Sequence, residues 1–492
     1  MTPIKYDLPL YALASEEGIE RIHEASLKIL SDFGLEFRDE DCLEVLKKNG
    51  ADVKGQMVRF DPALVLSFLS KAPSTFTQLA RNPDRNITLG DNSMVFSPVY
   101  GPPYVLDREK GRRAGTLQDF QNFVKLAYMS PHLHHSGGTL CEPQDEPVET
   151  RHMDMVFSHL KFSDKPFMGS VTSAENAADS VAMAEIVFGK EAMRQTPALL
   201  SLINVNSPRR YDERMLSALK VYARARQALI ITPFILAGAM GPCTLAGALA
   251  QQNAEALAGI VLVQMIQPGS PVVYGSFLSA IDLRNGAPVF GSPEGQVGTL
   301  VSAQLARRYK LPARTSGTLC SSRVPDAQAG FESMMSMQAA VFSGAHFVLH
   351  SAGWLESGLV AGYEKFVMDC EILGMMHTWA RGLEVSDDTL AMEAIGGVDP
   401  GGHHLGTDHT MMHYKGAFYE AQLFNYEAFE IWKQNGAKDT YELAHEKVRS
   451  LLSDYEPPEF DKSIEEGLLD YMKRRKEEEA SKRPRKSKVS VS

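Results

Sequence analysis

The chain has 492 residues, a formal net charge of −11, 44% hydrophobic and 23% charged residues. That is the composition of a soluble globular protein large enough for one big domain with accessories, or for two to three average ones. The negative balance argues against general nucleic-acid binding, and no run approaches the roughly 18 apolar residues of a membrane span. The opening "MTPIKYDLPLYALASEEG" lacks the basic and apolar regions of a secretory signal. Five scattered cysteines, Cys42, Cys141, Cys243, Cys320 and Cys370, never fall in CxxC spacing, the usage of reduced thiols. Together these features predict a cytoplasmic protein.

In chain order, residues 1–93 read as a mixed, mainly helical region. "SEEGIERIHEASLKILSDF" predicts an amphipathic helix capped by Ser15, with Ile19, Ile22, Ile29 and Phe33 on one face. A helix near Glu40–Lys48, a hairpin at Lys54-Gly55 and a helix from Asp61-Pro62 follow. From 94 to 384 apolar runs alternate with helical stretches. The runs lie at 94–99, 132–136, 166–172, 197–204, 228–236, 271–277, 312–317 and 345–351. "ALLSLIN" and "ALIITPFIL" are almost continuously apolar, as parallel strands covered on both faces are. Eight β–α units over about 250 residues predict a (β/α)8 TIM barrel within the α/β class. A doubly wound sheet is the alternative; no GxGxxG follows the first strand to support it. Residues 385–470 read as a glycine-rich loop and polar helices at 417–434 and 439–453, and 471–492 as a frayed helix end and disordered tail.

A barrel carries its chemistry at the C-terminal ends of the strands. Those ends place Tyr100, Tyr104, Asn204, Phe277, Arg314, His350, Trp354 and Glu356 together as candidate binding residues. Arg314, on an inward position, needs a partner, because an unpaired buried charge is very costly. A structural acid and a substrate carboxylate both satisfy that need. "GGHHLGTDHTMMH" holds His403, His404, Asp408, His409 and His413; His409 and His413 have the i, i+4 spacing of a metal-binding helical face, but the HExxH glutamate is missing. "GAMGP" (238–242) and "PEGQVG" (293–298) are explained by turns.

Four stretches in order, "SPVYGPPYVLDREKGRRAGTLQDF" (97–120), "VPDAQAGFESMMS" (324–336), "SAGWLESGL" (351–359) and "DPGGHHLGTDHT" (399–410), resemble the trimethylamine methyltransferase superfamily over about residues 15–450. The resemblance implies a barrel that demethylates a methylated amine. It implies too that the methyl acceptor is a cobalamin (corrinoid) carried by a separate corrinoid protein, with no cofactor held tightly by this chain. Trimethylamine-specific members carry pyrrolysine. This sequence has only standard residues, so it looks more like the branch acting on quaternary amines such as glycine betaine.

The chemistry suits that branch. A quaternary ammonium leaves as a neutral tertiary amine, so no catalytic general acid is required, and charge is lost at nitrogen as the methyl departs, which a weakly polar cavity favours. Tyr100, Tyr104, Phe277 and Trp354 are candidates for cation–π contact, worth roughly 0.5–2 kcal/mol each. Arg314 offers a carboxylate fork, and His350 a second donor. Two other functions stay open: a metal-dependent barrel hydrolase or lyase built on His403, His404, His409 and His413, and a non-catalytic betaine-binding protein. Homo-oligomerisation is open as well.

Overall fold

The computed structural model describes residues 3–6 and 8–482. Seven parallel strands and one irregular segment close a cylinder. In chain order they are Ser93–Phe96, the segment 133–137, Phe167–Met168, Leu199–Val205, Ala228–Ala237, Val272–Gly275, Ala313–Ser316 and Phe347–Leu349. The ladder runs through the pairs Phe167↔Leu199, Leu200↔Ala228, Leu229↔Val272, Tyr274↔Ala313 and Arg314↔Phe347, and Phe347↔Val95 joins the last strand to the first. The 132–136 run is not a ladder strand. It fills the second stave all the same: the His134 N–H donates to the Phe96 carbonyl at 3.0 Å, the Ser136 N–H to Pro166 at 2.8 Å, and the Met168 N–H to Gly137 at 2.8 Å. The predicted barrel is therefore present, and the doubly wound alternative is not.

Alternation along the strands sends one set of side chains into the bore. Val95, Met168, Leu200, Leu202, Ile230, Val273, Phe347 and Leu349 pack there as one buried cluster, which plugs the bore below the strand ends. The other set meets the helical ring. The Leu245–Ile266 helix is buried nearly all round, because the N-terminal region lies over it: Ser26 donates to the Ala250 carbonyl, and Asn253 to Ser26. That second cover explains a helix apolar on every face.

Four further details differ from the sequence expectation. Phe33 is exposed, not buried with Ile19, because the helix Glu16–Lys28 passes into a π-helical turn at Ile29–Phe33. The extra residue in that turn shifts the phase, and Leu30 becomes the core residue. Residues 417–428 are irregular, with helix only at Phe429–Gln434. The predicted tail is helical as far as Lys482: Leu468 and Met472 are buried, Arg475 and Tyr471 bond to Asp179, and Lys476 bonds to Asp154. Ionic docking holds this helix, which apolar periodicity does not reveal; residues 483–492 lie outside the described part. Finally, short strands rise above the barrel. Trp354–Leu355 pairs with Val360–Gly362, which pairs with Tyr104–Asp107, itself paired with Gly111–Ala114. Among the described residues no helix is long and apolar enough to cross a membrane.

Candidate functional site at the barrel mouth

Arg314 lies on an inward position of its strand and is 1% exposed. Its Nη1 donates to the Ser276 carbonyl at 2.9 Å, and its guanidinium lies 5.3 Å from the Phe277 ring centre. Its Nε has no partner. No carboxylate pairs with it among the described residues, so a structural ion pair is ruled out there. Burial holds its pKa down to about 9, still above neutrality, so the protein encloses a cation without a counter-ion. The inward Ser316 and Thr232 hydroxyls nearby on the bore are likewise buried and unpartnered.

Next to Arg314 stands His350, 4% exposed and held at a positive φ of 57° where the strand breaks off. Its Nδ1 accepts from the Tyr100 N–H at 3.2 Å, which leaves the ring proton on Nε2. Desolvation first, and Arg314 second, push its pKa well below the usual histidine value. The ring is therefore a neutral donor. Phe277 stacks on His350 at 5.6 Å, and Trp354 meets His350 edge-on at 4.4 Å. Phe234 and Phe290 extend the group, at 5.1 and 5.4 Å from Phe277. The Trp354 indole donates to the Cys320 carbonyl at 3.1 Å. Gly358, at φ +93°, closes on that indole so tightly that a Cβ would sit 2.6 Å from it.

The loop carrying His350 and Trp354 is pinned from beneath. Asp369 accepts from the Gly353 N–H at 2.8 Å, from Thr318 at 3.0 Å and from Lys365. This buried pair holds the loop without touching the bore.

The structure thus gathers Phe277, Arg314, His350 and Trp354; Tyr100 joins them through its backbone N–H, while its ring lies against Gly138. Asn204 faces the bore from the opposite wall, across from the last strand, and is exposed. Tyr104 and Glu356 stand apart: Arg112 covers the Tyr104 ring at 3.8 Å and bridges to Glu356 at 2.8 Å. Phe234, Phe290 and Thr232 escaped the sequence reading, whereas Ser316 lies within the strand end 314–318 that the sequence placed at the rim. The His409 and His413 rings lie 4.4 Å apart, tilted by 36°, on the short helix Asp408–His413, and among the described residues no three His, Cys, Asp or Glu side chains converge to hold a metal. The histidine cluster therefore supplies no donor set for the metal-dependent alternative.

The mouth is lopsided. Around the last strands Arg314, Ser316, Thr318, His350 and Trp354 are all buried; across the bore Thr172, Asn204 and Asn206 are exposed. Phe234 and Phe277, only half-buried, lie between these two sides.

Comparison with known proteins agrees with this architecture. The chain is 44% identical to a glycine betaine methyltransferase of Desulfitobacterium hafniense, over 96% of this chain and 98% of that one. It is 31% identical to a proline betaine:corrinoid methyltransferase of Eubacterium limosum, over 93% and 96%. Among solved structures, the monomethylamine methyltransferase of Methanosarcina barkeri shares the fold with a TM-score of 0.53, at 11% identity, over 91% of this chain and 89% of that one. The family model for trimethylamine methyltransferase matches residues 1–480, and the chain belongs to that family.

Proposed function

We propose that the protein removes a methyl group from a carboxylated quaternary amine of the glycine betaine type and delivers it to the corrinoid of a partner protein. The observation that carries this reading is Arg314, a buried guanidinium with no acid beside it among the described residues, set against an aromatic group. Such a cation favours an anionic ligand strongly, because the ligand supplies the missing charge inside a desolvated site. The substrate carboxylate bonds to Arg314 and to Nε2–H of neutral His350. The ammonium then lies along the faces of Phe234, Phe277 and Trp354. One face of Phe277 is already against Arg314, so this ring sets the spacing between the anionic and cationic ends.

The corrinoid is a substrate brought by the partner, and its reduced cobalt supplies the nucleophile for the methyl group. The exposed side of the mouth suits it: Thr172, Asn204 and Asn206 are neutral hydrogen-bonding groups, matching the neutral amides that edge a corrinoid. This chain's residues bind, orient and exclude water, which is where effective concentration and a weakly polar surrounding act. No proton is moved, since the amine leaves neutral. Tyr104 and Glu356 serve through Arg112, tying the loop of Trp354 to the hairpin of Tyr104. The relatives named for glycine betaine and proline betaine support the same class.

The test is an assay of the purified protein with free reduced cobalamin and glycine betaine, choline or trimethylamine, followed by the cobalamin absorbance. Glycine betaine should be demethylated fastest and trimethylamine not at all. Turnover of trimethylamine without turnover of any betaine would overturn the proposal, and binding without turnover would favour a betaine-binding protein.

A further inference from the structure

One row of inward positions crosses four neighbouring strands of the barrel. It runs from Asn204 to its ladder partner Thr232, then to Gly275 and to that residue's partner Arg314. Two residues lower, three of these strands give Leu202, Ile230 and Val273 to the apolar plug, so the row is the floor of the mouth. It opens on the exposed Asn204 and then turns inward, with Thr232 and Arg314 each 1% exposed. Gly275 makes a notch between them. A Cβ there would sit 1.9 Å from Thr232 Oγ1 and 2.6 Å from the Ile231 carbonyl oxygen, so the Thr232 hydroxyl fills the place of a side chain. It thereby stands one inter-strand step of about 4.8 Å from the Arg314 strand, not two. Ser316, two residues above Arg314 and facing the same way, is buried beside the strand that ends in His350. Among the described residues neither hydroxyl has a hydrogen-bond partner, nor has Arg314 Nε. Buried polar groups without partners cost stability, and orphans placed around one cation point to a ligand.

We infer that Thr232 and Ser316 are specificity-determining residues, which receive the substrate carboxylate together with Arg314 and His350. The donors match the acceptor. An ionised carboxylate accepts at about four lone-pair sites and donates nothing. Facing it are Arg314 Nε, the His350 Nε2–H and the two hydroxyls. An alcohol in the same place has two lone pairs and one proton, and it leaves at least one of these buried donors unpaired. Rejection of that kind is far stronger than rejection by size. The pair rests on the proposed function and deepens it: Arg314 alone attracts any anion, whereas the hydroxyls add the shape of a carboxylate. Gly275 belongs to the device, because its missing side chain admits the Thr232 hydroxyl.

Steady-state demethylation of glycine betaine and of choline by the full chain tests it. Thr232→Val and Ser316→Ala remove a hydroxyl and little else. Each should lower kcat/KM for glycine betaine about tenfold, and the double variant about 10²-fold. Choline should change by no more than about threefold. Thr232→Ser, which keeps the hydroxyl, should recover most of the loss at that position. A double variant within about threefold of the wild type on betaine, or equal losses on both substrates, overturns the inference and leaves the demethylation reading standing. Should the double variant fail to fold, Thr232→Val set against Thr232→Ser decides, and equal activities overturn it. A wild type that binds betaine without demethylating it removes the proposed reaction instead. The comparison is then read from the rise in Tm with saturating betaine: the double variant should lose most of that rise, and an undiminished rise overturns the inference.

Discussion

Replacing Arg314 by methionine keeps an unbranched apolar stem and removes the guanidinium with its charge and donors. Its Nη1 is committed to the Ser276 carbonyl, while Nε is without a partner. A substrate carboxylate would gain charge-assisted hydrogen bonds of about 1.5–3 kcal/mol each in this desolvated setting. Two such bonds, discounted for the cost of seating the ligand, come to about 3–4 kcal/mol, or 10²–10³-fold at about 1.4 kcal/mol per decade. Steady-state demethylation in Arg314→Met should therefore lose that factor in kcat/KM for glycine betaine. Choline has no carboxylate and should change by no more than about threefold. The same variant removes a buried charge that lacks a counter-ion, so without substrate its Tm should exceed that of the wild type. In the wild type, betaine at about 100 times its Kd should add roughly 2.7 kcal/mol of stability, and the variant should lose most of that gain. Equal losses for choline and betaine, or a fall in the variant's Tm, would refute the assignment of Arg314 to a carboxylate.

Trp354→Leu should raise KM for every quaternary amine by up to about 30-fold, the limit set by a cation–π contact of about 2 kcal/mol, measured across the same substrate panel. Asp369→Asn leaves Lys365 buried without its counter-charge and should cost about 3–5 kcal/mol of stability in denaturant unfolding. Asp179→Asn removes the charge and one of the two acceptor oxygens shared by His152, Tyr471 and Arg475, and amide exchange in 462–482 should accelerate before that of the barrel does. Acid should destabilise the protein through its histidines. His159 and His377 are held down to about 4, chiefly by burial, so the unfolded chain binds their protons first. Their contribution is complete above pH 6.5 and is lost as pH falls toward 4, by about 2 kcal/mol each at pH 5. Urea midpoints measured between pH 7 and 5 would show it, whereas betaine turnover should have no acid limb between pH 6 and 8.

Where burial on both faces wrote itself into composition, the barrel could be read: "ALLSLIN" and "ALIITPFIL" appear as Leu199–Val205 and Ala228–Ala237. Capping chemistry likewise located helices, as with Ser15 and Asp61. What escaped depends on contacts distant in sequence. The hairpin strands above the mouth are two to four residues long and pair with one another across some 250 positions, so no local period announces them. The docking of the last helix rests on ion pairs to Asp154 and Asp179. Arg314 shows the boundary most plainly: its need for a partner is legible, but only the packed barrel reveals that no acid among the described residues pairs with it. Phe234 and Phe290 looked like ordinary core until the fold set them beside Phe277.

Four imidazoles stand in this barrel where a carbonyl would ordinarily accept. Nδ1 of His134 takes the Phe96 N–H, that of His135 takes Gly137, that of His346 takes Ala313 and that of His350 takes Tyr100. A carbonyl accepts at any pH, whereas an imidazole accepts only while neutral; once protonated it turns a second N–H toward the first. Two of these substitutions fall at the stave that has no regular ladder, beside the first strand. The cylinder therefore has a built-in line of weakness, and acid should part it there, between Phe96 and His134, while the long strands on the far wall are still paired.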